Sequence, residues 1–403
     1  MSKLFNLGTL GSVSDGKSEM IYQLSGIRTQ RDSREKKRNI TIKAGYANIK
    51  IWKCEQCFKL YSSNECELYN CIYCNNSCIV NNHISFVDCP GHQELIETMM
   101  SSISLMKGAI VIISVVEPLK QKPQLIQHLI SAKVSNLNKL IICMNKCDLV
   151  SINTVKIRKT ELDELLKKLD IKPLIIIPTS FTQKIGIDYL IKSINYFFSD
   201  DEKIINDKKL FRITRSFDIN QPGINYDMIK GGCIGGSLIS GSFNINDEVE
   251  INPGILTKNK DGRFTHKPII TKLLSFESDK IKLNHLEPGG LVAILTNIDP
   301  YYCKNDLLKG NIITSIGEAL PVYDEIKIEF NKIDDFEGTW TPKNNDKIFL
   351  QISNMFTEAK IIKIKDIIIT LQLIKPVCID NDSKILICIK QPILKIVGIG
   401  IKI

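Results

Sequence analysis

The chain has 403 residues, 43% hydrophobic and 24% charged, with a formal net charge of +9. That is the composition of a globular protein of two or three domains at roughly 150 residues each. No apolar run reaches the ~18 residues needed to span a bilayer, and the N-terminus lacks the cationic, apolar and small-residue regions of a secretory signal, so no membrane partner and a cytoplasmic location are expected. The positive charge suits an RNA partner, although a chain this rich in Lys, Ile and Asn carries it throughout.

From residue 4 to about 198, short apolar runs alternate with helix-like stretches. Leu4–Leu10 is strand-like, and Ile84–Val87, Ala109–Val115, Leu140–Met144 and Leu174–Ile177 read as buried parallel strands. Glu19–Ser25, Glu94–Met106, Gln121–Val134, Lys159–Leu169 and Asp188–Phe198 read as the helices between them, giving an α/β domain. Between the first strand and helix lies Gly11-Ser12-Val13-Ser14-Asp15-Gly16-Lys17-Ser18, which fits the phosphate-loop pattern G-x-x-x-x-G-K-[ST]. Backbone N–H groups from Gly11, Ser14, Asp15 and Gly16 are expected to cradle phosphates at the helix N-terminus. Lys17 would reach the β- and γ-phosphates, and the Ser18 hydroxyl would ligate Mg²⁺.

Farther along, Asn39-Ile40-Thr41-Ile42 offers a threonine that would bind Mg²⁺ only while a γ-phosphate holds the segment, a nucleotide-dependent switch. Asp88-Cys89-Pro90-Gly91-His92 follows a strand. Asp88 would support the Mg²⁺ shell, Gly91 would bring its N–H to the γ-phosphate, and His92 would orient the attacking water. In Asn145-Lys146-Cys147-Asp148, the Asp148 carboxylate accepts two hydrogen bonds from guanine that adenine does not offer. Asn145 would tie this segment to the phosphate loop, Lys146 would cover the base, and Ser180 would close the guanine side. The constellation predicts GTP or GDP with Mg²⁺, and hydrolysis of GTP with Lys17, Thr41, Gly91 and His92 as the catalytic set.

Between the two switch segments, Cys54-x-x-Cys57 and Cys71-x-x-Cys74 stand thirteen residues apart. Paired C-x-x-C knuckles place four thiolates around Zn²⁺, and the polar insert, residues 52–80, is too small to build its own core. Cys66 and Cys78 are additional thiols nearby that leave the ligand set open, whereas Cys89, Cys143 and Cys147 read as small packing residues.

After a charged stretch, Ser199–Lys209, the pattern changes to short β-rich runs separated by turns such as Gln221-Pro222-Gly223, Asn252-Pro253-Gly254 and Pro288-Gly289-Gly290. Gly317–Pro321 suggests another boundary, and Ile361–Ile369 and Ser383–Ile403 are again strand-like. The expected organisation is multidomain α/β plus all-β: a G domain over residues 1–205 and β-barrels or sandwiches over 206–318 and 319–403.

Arg38-Asn39-Ile40-Thr41-Ile42-Lys43-Ala44-Gly45-Tyr46-Ala47, followed by the cysteine insert and the Asp88–His92 switch, resembles the gamma-subunit family of translation initiation factor 2. The similarity continues through Arg215–Asp218, Lys230–Gly232, Gly235–Ser237, Asn252–Ile255 and Pro288–Leu291, and weakens after Pro321. The resemblance implies a G domain followed by two β-barrels. It also implies binding of initiator methionyl-tRNA in the GTP form, a heterotrimer with alpha and beta subunits, delivery to the small ribosomal subunit, and dependence on GTPase-activating and nucleotide-exchange factors. Three departures stand out. Ser12 and Asp15 replace the two histidines usual in the family's phosphate loop, and Asp15 places negative charge beside a polyphosphate site unless its side chain points away. Phe181 stands where alanine is usual, and the third domain reads as shortened around residues 331–346. Two other readings remain, an elongation factor such as the selenocysteine-specific one, and a GTP-binding scaffold with little hydrolysis.

Overall fold

The computed structural model describes residues 3–29, 45–63, 70–90, 96–199, 208–260, 263–279, 281–333, 340–380, 383–390 and 394–403. The chain divides into two compact units, Met1–Glu202 and Lys203–Ile403.

The first unit is built on a seven-stranded sheet. Its strands are β1 (Lys3–Leu10), β2 (Gly45–Cys54), β3 (Leu60–Ser62), β4 (Cys78–Asp88), β5 (Gly108–Ser114), β6 (Leu140–Asn145) and β7 (Ile175–Pro178), in the order β3-β2-β4-β1-β5-β6-β7. β4, β1, β5, β6 and β7 run parallel, and β2 and β3 are added antiparallel. The runs Gly108–Ser114 and Leu140–Asn145 are buried at every position, as central parallel strands covered on both faces must be. The helices are α1 (Lys17–Ser25), α2 (Ile96–Ile103), α3 (Pro123–Val134), α4 (Ile152–Lys168) and α5 (Ile187–Phe198). One continuous core joins Phe5, Leu7, Ile112 and Ile141 of the sheet to Met20 and Leu24 of α1 and to Leu190 and Ile194 of α5.

Of the elements that differ from the sequence expectation, three have a plain physical reason. α4 begins at Ile152, seven residues before the expected Lys159, because the Ser151 hydroxyl caps it by accepting from the Thr154 N–H. Exposed Ile152 and Ile157 blur the apolar period there. α3 starts at Pro123, whose ring suits the first helical position, and Leu119–Gln121 forms a separate 3₁₀ turn. β7 is an edge strand with Ile175 exposed and Ile177 buried, rather than a run buried throughout.

The second unit contains two all-β bodies. β8 (Leu210–Phe217), β9 (Cys233–Ser240), β10 (Phe243–Asn244), β11 (Glu248–Lys258), β12 (Phe264–Ser278), β13 (Ile281–Leu283), β14 (His285–Leu286), β15 (Val292–Thr296) and β16 (Ile312–Ser315) make up the first. Its main sheet runs β11-β16-β8-β9-β15-β12-β13, and pairing of β11 with β12 brings it round on itself. β17 (Val322–Lys332), β18 (Lys347–Ile352), β19 (Met355–Lys365), β20 (Ile368–Cys378), β21 (Lys384–Lys390) and β22 (Leu394–Lys402) form a closed barrel, β17-β20-β19-β18-β21-β22. Each body has its own apolar core, around Phe211, Phe243 and Phe276 in one and Ile328, Leu350 and Leu371 in the other. The buried Asn354 amide joins them by donating to the Ile213 carbonyl at 2.8 Å. The architecture is an α/β domain on a mostly parallel sheet followed by two all-β bodies, the second a closed barrel. No helix among the described residues is long and apolar enough to cross a membrane.

Candidate nucleotide site and cysteine knuckle

In an open parallel sheet, ligands bind beyond the carboxyl ends of the strands, where the strand order reverses. Here β1 lies between β4 and β5, so the segments following these three strands meet at one edge. Residues 11–16 follow β1 and lead directly into α1. Gly16 has φ +104°, and a Cβ there would lie 2.3 Å from Asn145 Nδ2, so the loop requires glycine both for its backbone and for its close approach. Ser14 is exposed at φ 62°.

The buried Lys17 ammonium donates to the carbonyls of Gly11 (3.0 Å) and Ser12 (2.6 Å). Burial pushes its pKa down, opposed by the charges of Asp88 and Asp15. Asp88 is fully buried at the end of β4. Its carboxylate accepts from the hydroxyls of Thr9 (3.0 Å), Ser18 (2.7 Å) and Thr29 (2.6 Å). Ser18 and Asp88 therefore present hard oxygen donors at one point, the type of ligand Mg²⁺ takes. Thr41, Gly91 and His92 lie outside the described residues.

The guanine segment reaches the same loop. Asn145, 4% exposed, donates through Nδ2 to the Asp15 carbonyl (2.8 Å) and accepts through Oδ1 from the Phe181 N–H (3.2 Å). Lys146 adopts a left-handed conformation at φ 63°, and Asp148 stands exposed in the turn Cys147–Leu149. Ser180 is buried, with its hydroxyl held in its own turn by Thr182 and the Gln183 N–H. Phe181 is buried in the core beside Gly16, which accounts for a large side chain at that position.

The Asp15 side chain turns inward, away from the loop mouth that its place in a phosphate motif suggested. Its carboxylate, 1% exposed, accepts from the Ser12 N–H (2.8 Å), the Ser114 N–H (3.1 Å) and Lys122 Nζ (2.5 Å). Four residues of this site carry no sequence signal of their own: Thr9, Thr29, Lys122 and His128. His128 accepts from the Gly11 N–H at 3.0 Å through Nδ1. Burial, with Lys17 nearby, pushes its pKa down to about 3, which keeps that nitrogen an acceptor. Only the need of a buried carboxylate for a cation could have pointed to Lys122.

The cysteine insert forms two knuckles of the same build. The Phe58 N–H donates to the Cys54 carbonyl and the Asn75 N–H to the Cys71 carbonyl, with Phe58 and Asn75 both left-handed. The sulfurs of Cys54, Cys57, Cys71 and Cys74 all lie within 4.8 Å of one another, with Cys54–Cys74 and Cys57–Cys71 at 3.4 Å. Four thiolates each about 2.3 Å from one Zn²⁺ stand roughly 3.8 Å apart, so the arrangement fits the ion. Cys78 is buried beside the cluster without belonging to the four, and Cys66 lies outside the described residues. Cys89 and Cys143 are fully buried packing residues, while Cys147 is only half-buried.

Comparison with known proteins agrees with this geometry. The model of the "Elongation factor Tu GTP binding domain" matches residues 2–200, and that of "Initiation factor eIF2 gamma, C terminal" matches residues 325–401. The chain is 33% identical to eukaryotic translation initiation factor 2 subunit gamma of Schizosaccharomyces pombe, over 94% of this chain and 89% of that protein. It is 34% identical to translation initiation factor 2 subunit gamma of Methanocaldococcus jannaschii, over 95% of this chain and 93% of that protein. Among solved structures, a bacterial selenocysteine-specific elongation factor superposes with a TM-score of 0.76 at 20% identity, covering 99% of this chain. This chain spans 58% of that factor's length, and the likeness speaks for the fold alone. Sequence identity across nearly the whole chain, on a G domain followed by two barrels, shows that the chain belongs to the family of translation initiation factor 2 gamma subunits, GTP-binding proteins of translation initiation.

Proposed function

We propose that this protein carries initiator methionyl-tRNA to the small ribosomal subunit in its GTP form, within a heterotrimer with alpha and beta subunits, and hydrolyses GTP on start-codon selection with the help of an activating protein. The observation that carries the reading is convergence. Lys17, Ser18, Asp88 and Asn145, far apart in sequence, meet around one glycine-bounded loop. Family membership supplies the context of initiation.

In this reading the backbone N–H groups of residues 13–16 and the Lys17 ammonium bind the phosphates, while the Gly11 N–H, expected from the sequence to join them, donates to His128 instead and the Ser12 N–H to Asp15. Ser18 and Thr41 would ligate Mg²⁺, and Asp88, which already holds the Ser18 hydroxyl, would orient its shell. Mg²⁺ would neutralise charge on the β- and γ-phosphates. His92 orders the attacking water beside the Gly91 N–H. Asp148 accepts from guanine while Lys146 and Ser180 flank the base. Cys54, Cys57, Cys71 and Cys74 would hold one Zn²⁺. A nucleotide-exchange factor is expected to reset the GDP form, and the work is done in the cytoplasm.

The test is capture of initiator against elongator methionyl-tRNA with GDP or a non-hydrolysable GTP analogue. The expected result is selective capture of initiator tRNA with the analogue, lost in Thr41→Ala while nucleotide still binds. Equal capture with either nucleotide and in the Thr41 variant would overturn the carrier reading and leave an RNA-binding scaffold.

A further inference from the structure

An acidic residue inside a phosphate loop opposes the loop's own ligand, because its charge has the sign of the phosphates. The structure resolves this conflict with one lysine. Asp15 and Lys122 are 1% and 3% exposed at their side chains and meet at 2.5 Å, an ion pair almost wholly out of water. Burial makes each charge dependent on the other. Lys122 also lies 3.3 Å from the exposed Glu117 carboxylate, but Asp15 is its buried partner.

The lysine stands at the N-cap of Pro123–Val134. His128, in the same helix, accepts from the Gly11 N–H, so one helix holds the loop at both Gly11 and Asp15. The remaining oxygens of Asp15 complete the brace. Its second carboxylate oxygen takes the Ser12 N–H, and its carbonyl takes the Asn145 amide. Release of the carboxylate would therefore free the loop from the end of β5 and from Lys122 together, leaving the helix only its hold on Gly11, and would leave unpaired negative charge beneath the phosphates.

We propose that Lys122 is a positioning residue for guanine nucleotide. Acting through Asp15, it cancels the loop's acidic charge and holds its N–H groups facing the phosphates. The inference rests on residues 11–18 being the phosphate site. Because the brace lies under the whole loop rather than at one switch, it serves GDP and GTP alike.

Dissociation of fluorescent GDP and of a fluorescent non-hydrolysable GTP analogue from the full chain tests it. Lys122→Met should speed release of both by at least about 30-fold, the scale of stranding one member of a buried charge pair. Adding Asp15→Asn to that variant removes the stranded charge, and release should return to within about 3-fold of wild type, the remainder being one lost donor. If Lys122→Met does not fold, Lys122→Gln keeps the stem and a donor without the charge, and should show the same acceleration and the same rescue. Wild-type release rates in the single variants, or a double variant no better than the single, overturn the proposal. Lys17→Ala keeps the two questions apart. If it too leaves nucleotide binding unchanged, the site itself is misplaced, whereas loss of binding in Lys17→Ala with no effect at Lys122 discards the brace alone.

Discussion

The phosphate loop and the cysteine knuckle are both short irregular segments, but they are held in opposite ways. The loop is fixed by groups distant in sequence: Ser114, Lys122, His128 and Asn145 each bond it through a buried contact. Its order is supplied by a domain core that exists for other reasons, so the protein bears the entropic cost of ordering before nucleotide arrives. The knuckle is fixed by its own residues. Its two turns repeat one hydrogen-bond pattern, and among the described residues the apolar cluster beneath them has only Trp52, Cys54, Tyr61, Cys71 and Cys78 as buried members. On the proposed reading, a zinc ion held by its four cysteines would supply what so small a core does not.

Removing the metal breaks this comparison at its weaker side and carries the largest expected effect. Zinc binding to such sites is worth roughly 10–16 kcal/mol, so chelation or Cys71→Ser should abolish protection of residues 54–78 from hydrogen exchange. Nucleotide affinity should stay within about 3-fold, because the two regions draw on separate supports. Elemental analysis should find one zinc per chain in the wild type. Absence of stoichiometric zinc under reducing conditions rejects the site, and zinc retained in Cys71→Ser would bring in Cys78 or Cys66 as a ligand.

On the loop side, the segment Asn145–Asp148 contributes a support and, on the proposed reading, a separable discriminator of the base. Asn145 ties the loop, while Asp148 is exposed and bonded to no loop residue among the described contacts. Asp148→Asn should therefore leave the loop intact and change only the base, moving preference from GTP to XTP by about 10⁴-fold, as expected when a polar site is matched to specific donors. Competition of the two nucleotides for the variant reads this directly, and an unchanged preference for GTP sinks the assignment.

The smallest effect sharpens the account of how the loop is held. His128 has a folded pKa of about 3 against an ordinary 6.5. Between those values the unfolded chain binds a proton that the folded chain does not, so this contribution is complete above pH 6.5 and is lost as pH falls. The loss follows one proton's slope and reaches about 2 kcal/mol by roughly pH 5. In urea unfolding followed by a G-domain probe, His128→Gln should flatten the wild-type decline in stability over that range. Identical pH slopes in the two proteins would mean that His128 is not the group responsible.

Much of the site was legible because nucleotide chemistry demands fixed residue types at short spacing. Gly16 must pack against Asn145 without a Cβ, Lys17 and Ser18 must open the helix, and Asp88 must end a buried strand. The two cysteine pairs are legible for the same reason, since a tetrahedral ion needs four thiolates on tight turns. The start of α4 was obscured because Ser151 caps a helix whose first apolar residue, Ile152, faces solvent.

By itself, then, the order of residues determined an α/β domain followed by β-rich segments, the nucleotide motif and the paired cysteines, because each is set by local spacing and periodicity. It could not determine the direction in which Asp15 points, nor that Lys122, His128 and Thr29 serve the site. Those residues reach it only through the crossing of distant segments beyond β1, β4 and β5. Burial decides the rest: out of water, a carboxylate must find its cation and a loop N–H its acceptor. Which group answers depends on what the folded chain brings within hydrogen-bond reach, here a lysine at a helix start and a neutral histidine in that same helix.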